Sequence, residues 1–363
     1  MSDDIAQRKA HHLDLCATDD VQFRGKTTLL EQVDFLHDPF PELDIDEIDT
    51  SVEVLGKTLS APILIAAMSG GTKEAVQFNK DLAVVAEERQ IAMGLGSMRP
   101  LIVPGRITDG FFLREQAPTI LLLGNLGLVQ AGEMTTAKIQ SLVEEVGADA
   151  ICLHLNPAQE RIQPGGDRNF KGALETLHRL STGLSVKVIA KETGCGISRS
   201  AAERARAAGV EWLDVSGAGG TSWVGVEAMR AEGISGKVGQ TYWDWGIPTA
   251  ASLVQVSDLR LGVFATGGIR HGLDVARAIA LGGRAAGVAR AFLHAHRDGG
   301  IDGIRRFVDE LVEGLKTAML LTGSKNLAAL RQCPLVLGPT LQAWIPQTSP
   351  LWNRVVNPTY PRR

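Results

Sequence analysis

Short apolar runs recur along the chain without the alternation of a half-exposed strand. They are PILIAAM from Pro62, IAMGLGS from Ile91, TILLLGNLG from Thr119 and ICLHL from Ile151, followed by SVKVIAKE from Ser185, EWLDVSG from Glu211, GVFATGG from Gly262 and AAGVAR from Ala285. Uninterrupted apolar runs of this length predict strands covered on both faces, as in a parallel sheet. Amphipathic stretches lie between them, among them 198–209 and 273–283, the latter ending in a glycine pair that suits a helix C-terminus. Most runs follow one another at about 23–35 residues, enough for a strand and its crossover helix. One gap, near 50 residues, holds an insertion with WDWGIPT, Trp243 to Thr249. Eight such units predict a TIM (β/α)8 barrel over 61–300, with an N-terminal extension over 1–60 and a C-terminal helix and Pro/Trp-rich tail over 301–363. A doubly wound sheet is the alternative, but GLGSMR has Arg99 where the dinucleotide fingerprint needs its third glycine.

Composition narrows the class. The 363 residues are 44% hydrophobic with 40 glycines, which suits a large core and many tight loops. A net charge of -4 offers no basic field for nucleic acid. The four cysteines lie far apart and form no CxxC pair, so they read as reduced thiols, not as a disulfide or zinc framework. The polar start MSDDIAQRKAHH is no signal peptide, and no apolar run reaches membrane-spanning length. The expected location is cytoplasmic, with no membrane and no nucleic-acid partner.

Chemistry in a barrel concentrates where the strands end. The fourth run exits through HLNPAQE, which places His154, Asn156, Gln159 and Glu160 around one proline. Buried without partners, such groups would cost roughly 1–3 kcal/mol each. A ligand would relieve that cost. Gly267 and Gly268, after the seventh strand, can offer backbone N–H groups to a phosphate with no Cβ in the way. Lys191 ends the fifth strand, where a cation can neutralise the N1–O2 edge of a reduced flavin. With Asn125, Ser216 and Thr221 at neighbouring ends, the pattern predicts a flavin mononucleotide site. Arg8, Lys9, His11 and His12 form a cationic run that can clamp a diphosphate, and Ser97 and Arg99 can reach the same anion.

Taken in order, RKAHH, AAMSGG, GSMR, HLNPAQE, GGDRNF, KETGCGIS, DVSGAGGTSW, DWGIPT and FATGGIRHG resemble the FMN-dependent type 2 isopentenyl-diphosphate isomerases. The resemblance implies an isomerase of isoprenoid biosynthesis that interconverts isopentenyl and dimethylallyl diphosphate. It implies FMN in its reduced form, NADPH or NADH as reductant, Mg²⁺ on the diphosphate, and a homo-oligomer, a tetramer or octamer. Carried over by position, it gives Arg8, Lys9, His12, Ser97, Arg99, Asn156 and Gln159 to the substrate. Ala67, Met68, Ser69, Ser97, Asn125, Lys191, Ser216, Thr221, Gly267, Gly268, Arg270, Ala289 and Arg290 go to FMN. Glu160 goes to the metal, and Gln159, Lys191 and His154 to catalysis beside the reduced flavin. Met98 departs from the usual GSQR, replacing an amide with a thioether at a position expected near the substrate. Two rivals remain open. FMN-dependent 2-hydroxy acid oxidases share the barrel and the lysine, but they need a histidine in a pattern like SNHGGR where this chain has SGAGGT and Ala218. A diverged FMN-dependent oxidoreductase or flavin-binding relative acting on another substrate is the second.

Overall fold

A computed structural model describes residues 11–17, 19–68 and 70–356. The eight runs form eight parallel strands: β1 (Ile63–Ile65), β2 (Ala92–Gly94), β3 (Leu122–Gly127), β4 (Ala150–Leu155), β5 (Lys187–Glu192), β6 (Trp212–Asp214), β7 (Gly262–Thr266) and β8 (Ala285–Val288). They close into a barrel in chain order, with β8 paired to β1. All six residues of β3 are buried, as expected of a strand with the barrel interior on one side and helices on the other. The TIM barrel read from the sequence is the fold.

The amphipathic segments become the outer ring. Residues 198–209 yield the helix Arg199–Ala207, whose N-cap Ser198 accepts from the Ala201 N–H. Residues 273–283 yield Gly272–Ala280, capped by His271. The long insertion between β6 and β7 holds three helices, Trp223–Arg230, Gly233–Thr241 and Thr249–Val256. No α-helix follows β2, which leads instead into short 3-10 turns at Arg99–Ile102 and Asp109–Phe111. The last strand feeds Arg290–Leu320, a run broken by non-helical backbone at Gly299 and Gly300.

The two ends of the chain meet. Val33–Phe35 pairs antiparallel with Leu335–Leu337, and Arg354 donates to the carbonyl of Ala280 at 2.6 Å. Leu341, Ile345 and Leu351 of the tail are buried against the same core as the barrel. No helix among the described residues is long and apolar enough to cross a membrane.

Candidate functional site

A cavity of about 880 Å³ opens at the C-terminal ends of the strands. Such a volume lies within the range of sites that enclose a cofactor or drug-sized ligand.

Its floor is charged. Lys191, on β5, is held at 2.8 Å from Asp214, on β6, and both are almost fully buried. The neighbouring carboxyl, Glu192, is pushed up to about 8, by desolvation first and against the backbone N–H groups of Cys195 and Thr193 that it accepts. Those contacts fold the KETGCG turn over the strand end. The turn is tied to β6 by Gly194 and Gly196, whose N–H groups donate to the Ser216 carbonyl at 2.9 and 3.0 Å. Ser216 itself has φ of +35°, an unfavourable backbone region for a residue with a Cβ, and that strain lies in the cavity wall.

One side of the wall is the exit of β4. Asn156 precedes a short helix, Pro157–Ile162, whose first position is the proline, as the fixed φ of proline favours. Helical spacing then brings Gln159 and Glu160 back beneath Asn156, whose amide donates to them at 3.3 and 2.9 Å. The second oxygen of Glu160 accepts from Gln163 at 3.1 Å and from the Asp167 N–H at 2.8 Å, so the GGDRNF segment packs against this carboxylate. Gln159 reaches Glu227 at 3.4 Å. Burial raises the carboxyl of Glu227, but His12 at 2.8 Å and Arg230 at 2.6 Å outweigh it, and the group lies below the ordinary glutamate range. His154 donates from Nδ1 to Asn125 at 2.9 Å, and the Asn125 amide donates to the Leu95 carbonyl at 3.1 Å. That bond fixes the imidazole at the cavity edge.

The opposite side is built on two glycines and a helix start. Gly267 and Gly268 have φ of +106° and +72°. A Cβ on the first would lie 2.2 Å from the Gly217 carbonyl oxygen, and on the second 2.4 Å from Thr28. Only glycine fits both positions. Ala289 is the N-cap of the helix that begins at Arg290 after β8, and the positive end of a helix dipole favours an anion. Arg270 donates to Gln22 at 2.9 Å, which fixes its guanidinium on the same rim.

Of the residues named from the sequence, Ala67, Met68, Ser97, Asn125, Lys191, Ser216, Thr221, Gly267, Gly268, Arg270, Ala289 and Arg290 line this one cavity. So do His12, Arg99, His154, Asn156, Gln159 and Glu160. Arg8, Lys9 and Ser69 lie outside the described residues. Met98 differs from expectation: its side chain is fully buried, absent from the cavity wall, and close to Gly124 of β3. Ser97 and Arg99 on either side of it do face the cavity, where the chain leaves β2 and enters the 3-10 turn Arg99–Ile102. Sequence reasoning missed Asp214, Glu227, Gln130, Gln163 and Trp223. A lone acid inside an apolar run was the available signal for the first. Ala218 is buried outside the cavity, and the histidines that line it among the described residues are His12, His154 and His294.

The family model for FMN-dependent dehydrogenases matches residues 1–102 and 133–336. A protein of Synechococcus sp. called isopentenyl-diphosphate delta-isomerase is 45% identical over 339 residues, 92% of this chain and 97% of that protein. One of the same name from Pyrococcus furiosus is 39% identical over 350 residues, 94% of this chain and 89% of that one. Among solved structures, a double mutant of flavocytochrome b2 with pyruvate bound superposes with a TM-score of 0.67 at 20% identity, covering 98% of this chain and 89% of that one. A mandelate oxidase mutant with a monooxide FMN adduct gives 0.61 at 21% identity, covering 90% and 95%. Likeness at that identity speaks for the barrel alone.

Proposed function

The chain belongs to the FMN-dependent dehydrogenase family and, within it, to the isopentenyl-diphosphate delta-isomerases, and we propose that its cavity interconverts isopentenyl and dimethylallyl diphosphate with reduced FMN and Mg²⁺. The observation that carries this reading is one cavity with two anion-handling ends. The glycine cradle with Ala289, Arg290 and Arg270 suits the FMN phosphate, its two glycines lying at positive φ on the cavity wall. Glu160, with Asn156 and Gln159 beside it, suits a diphosphate–Mg²⁺ pair.

The donor set fits magnesium. Among the described residues no group of three or more His, Cys, Asp or Glu side chains could cage a metal. Mg²⁺ is commonly held by one or two carboxylates, with substrate phosphates and water completing six positions. Glu160 is that one carboxylate. Its contacts with Asn156, Gln163 and the Asp167 N–H orient it and leave lone pairs for the ion.

Isomerisation adds a proton to one end of an allylic unit and removes one from the other, with no net electron transfer. When bound, reduced FMN would supply a proton carrier and an electron-rich ring, with NADPH or NADH as the source of its electrons. The chain does the rest. Lys191 compensates negative charge on the ring. Gln159, braced by Glu227, and His154, fixed by Asn125, stand at the reacting end and orient the alkene. Arg8, Lys9, His12, Ser97 and Arg99 bind the diphosphate, which holds the substrate and displaces water from the cavity. A tetramer or octamer in the cytoplasm belongs to the same reading.

The 2-hydroxy acid oxidation route lacks its histidine. Position 218 is alanine, its side chain buried away from the cavity. The test is an anaerobic incubation of the FMN-loaded chain with NADPH, Mg²⁺ and isopentenyl diphosphate. Dimethylallyl diphosphate forming only when FMN, reductant and Mg²⁺ are all present supports the proposal, and no product under those conditions overturns it.

A further inference from the structure

The cavity floor contains an acid that the reaction above does not use. Asp214 ends β6 at 2% exposure, behind two residues that line the cavity. Lys191 donates to its Oδ2 at 2.8 Å, and the hydroxyl of Thr266 donates to its Oδ1. Strand register brings them together. Lys191 stands opposite Asp214 across β5 and β6, and Asp214 stands opposite Phe264 across β6 and β7, two residues before Thr266. Cys152 on β4 adds no charge, since burial, then the charge of Asp214, pushes its thiol up to about 12. Both oxygens of Asp214 are therefore engaged by cavity-lining groups.

We propose that Asp214 is a positioning residue that fixes Lys191 and sets the net charge that the cavity floor presents to the N1–O2 edge of the flavin. This rests on the FMN reading. Two electrons and one proton convert oxidised FMN to a reduced ring that carries one negative charge on that edge. A solitary ammonium would favour that charge strongly in a site with little water. The Lys191–Asp214 pair has no net charge and favours it less, which keeps the reduced ring electron-rich and basic. Basicity is what a proton carrier needs. An enzyme that must collect electrons from each substrate has the opposite need. Thr266 shares the carboxylate, and so decides how much of its charge falls on Lys191.

The test is the midpoint potential of FMN bound to the full chain, titrated anaerobically with dithionite against a reference dye. Asp214→Asn leaves a buried ammonium whose charge only the reduced flavin can offset. Its reduction equilibrium should shift at least tenfold toward the reduced form, about 30 mV for a two-electron couple. Thr266→Val should shift it the other way, and by less, because the carboxylate loses a donor and pairs more fully with the lysine. A pair that only holds the barrel together would change the melting temperature of both variants and the potential of neither. An Asp214→Asn potential within about 10 mV of the parent, well short of tenfold, or below it, overturns the inference. Should that variant not fold, the sign of the Thr266→Val shift decides, and a rise or no shift overturns it. A chain that takes up no FMN overturns the FMN reading and this inference together, whereas an unchanged potential in an FMN-binding chain overturns this inference alone.

Discussion

Single side chains carry the division of labour in the cavity. Glu160 is held by three donors from Asn156, Gln163 and the Asp167 N–H, none of which neutralises its charge. Replacing it with glutamine keeps the shape and an acceptor for Gln163 and the Asp167 N–H, removes the ligand charge, and turns an NH2 toward the Asn156 amide. Glu160→Gln should raise the Mg²⁺ concentration for half-maximal turnover at least tenfold, about 1.4 kcal/mol, with FMN affinity unchanged. A Mg²⁺ titration checks both halves, and an unaltered Mg²⁺ dependence would remove Glu160 from the metal site. Met98 makes the contrary case. The motif around it reads as a binding loop, yet the thioether is packed in the core beside Gly124. Met98→Gln should leave the KM for isopentenyl diphosphate within about twofold and cost about 1–3 kcal/mol of stability, through a buried amide without partners. Thermal unfolding and steady-state kinetics together distinguish this from a substrate contact.

At the scale of elements, strand ends and the turns after them make the site. The turn after β7 depends on two positive φ values, and an alanine at Gly267 would meet the Gly217 carbonyl. Gly267→Ala should weaken FMN binding at least tenfold, about 1.4 kcal/mol, measured by quenching of flavin fluorescence. The turn after β5 depends on Glu192. Its carboxyl is raised to about 8 in the folded chain by desolvation, whereas an unfolded glutamate titrates near 4.5. The folded state thus holds one more proton than the unfolded state between these values, and stability must fall as pH rises through that window. Glu192→Gln keeps an acceptor for the Thr193 and Cys195 N–H groups and removes the titration. Melting temperatures from pH 5 to 8 should decline less steeply in that variant than in the parent; parallel profiles would show that Glu192 is not the group responsible. The strands themselves were legible in the sequence, because a strand buried on both faces needs an unbroken apolar run. Their partners were not. Asp214 lies 23 residues from Lys191, and Glu227 lies 215 from His12, so each appears in the sequence only as a lone acid among apolar neighbours.

Over the whole molecule, closure of the barrel turns eight locally readable segments into one wall. That is why residues from 67 to 290, named individually from strand-end motifs, line a single cavity, joined there by His12 of the N-terminal extension. Pairing of Val33–Phe35 with Leu335–Leu337 escaped the sequence because three-residue strands give no sign of a partner some 300 residues away. This barrel shares its fold with mandelate oxidase and flavocytochrome b2, whereas the proposed reaction transposes a double bond with no net electron transfer. The most direct measurement is the number of NADPH molecules oxidised per dimethylallyl diphosphate formed, under strict anaerobiosis with FMN and Mg²⁺ present. An isomerase uses reductant once to prime each flavin, so the ratio should fall toward zero as turnovers accumulate. A ratio that stays near one throughout would make the chain a reductase and contradict the account.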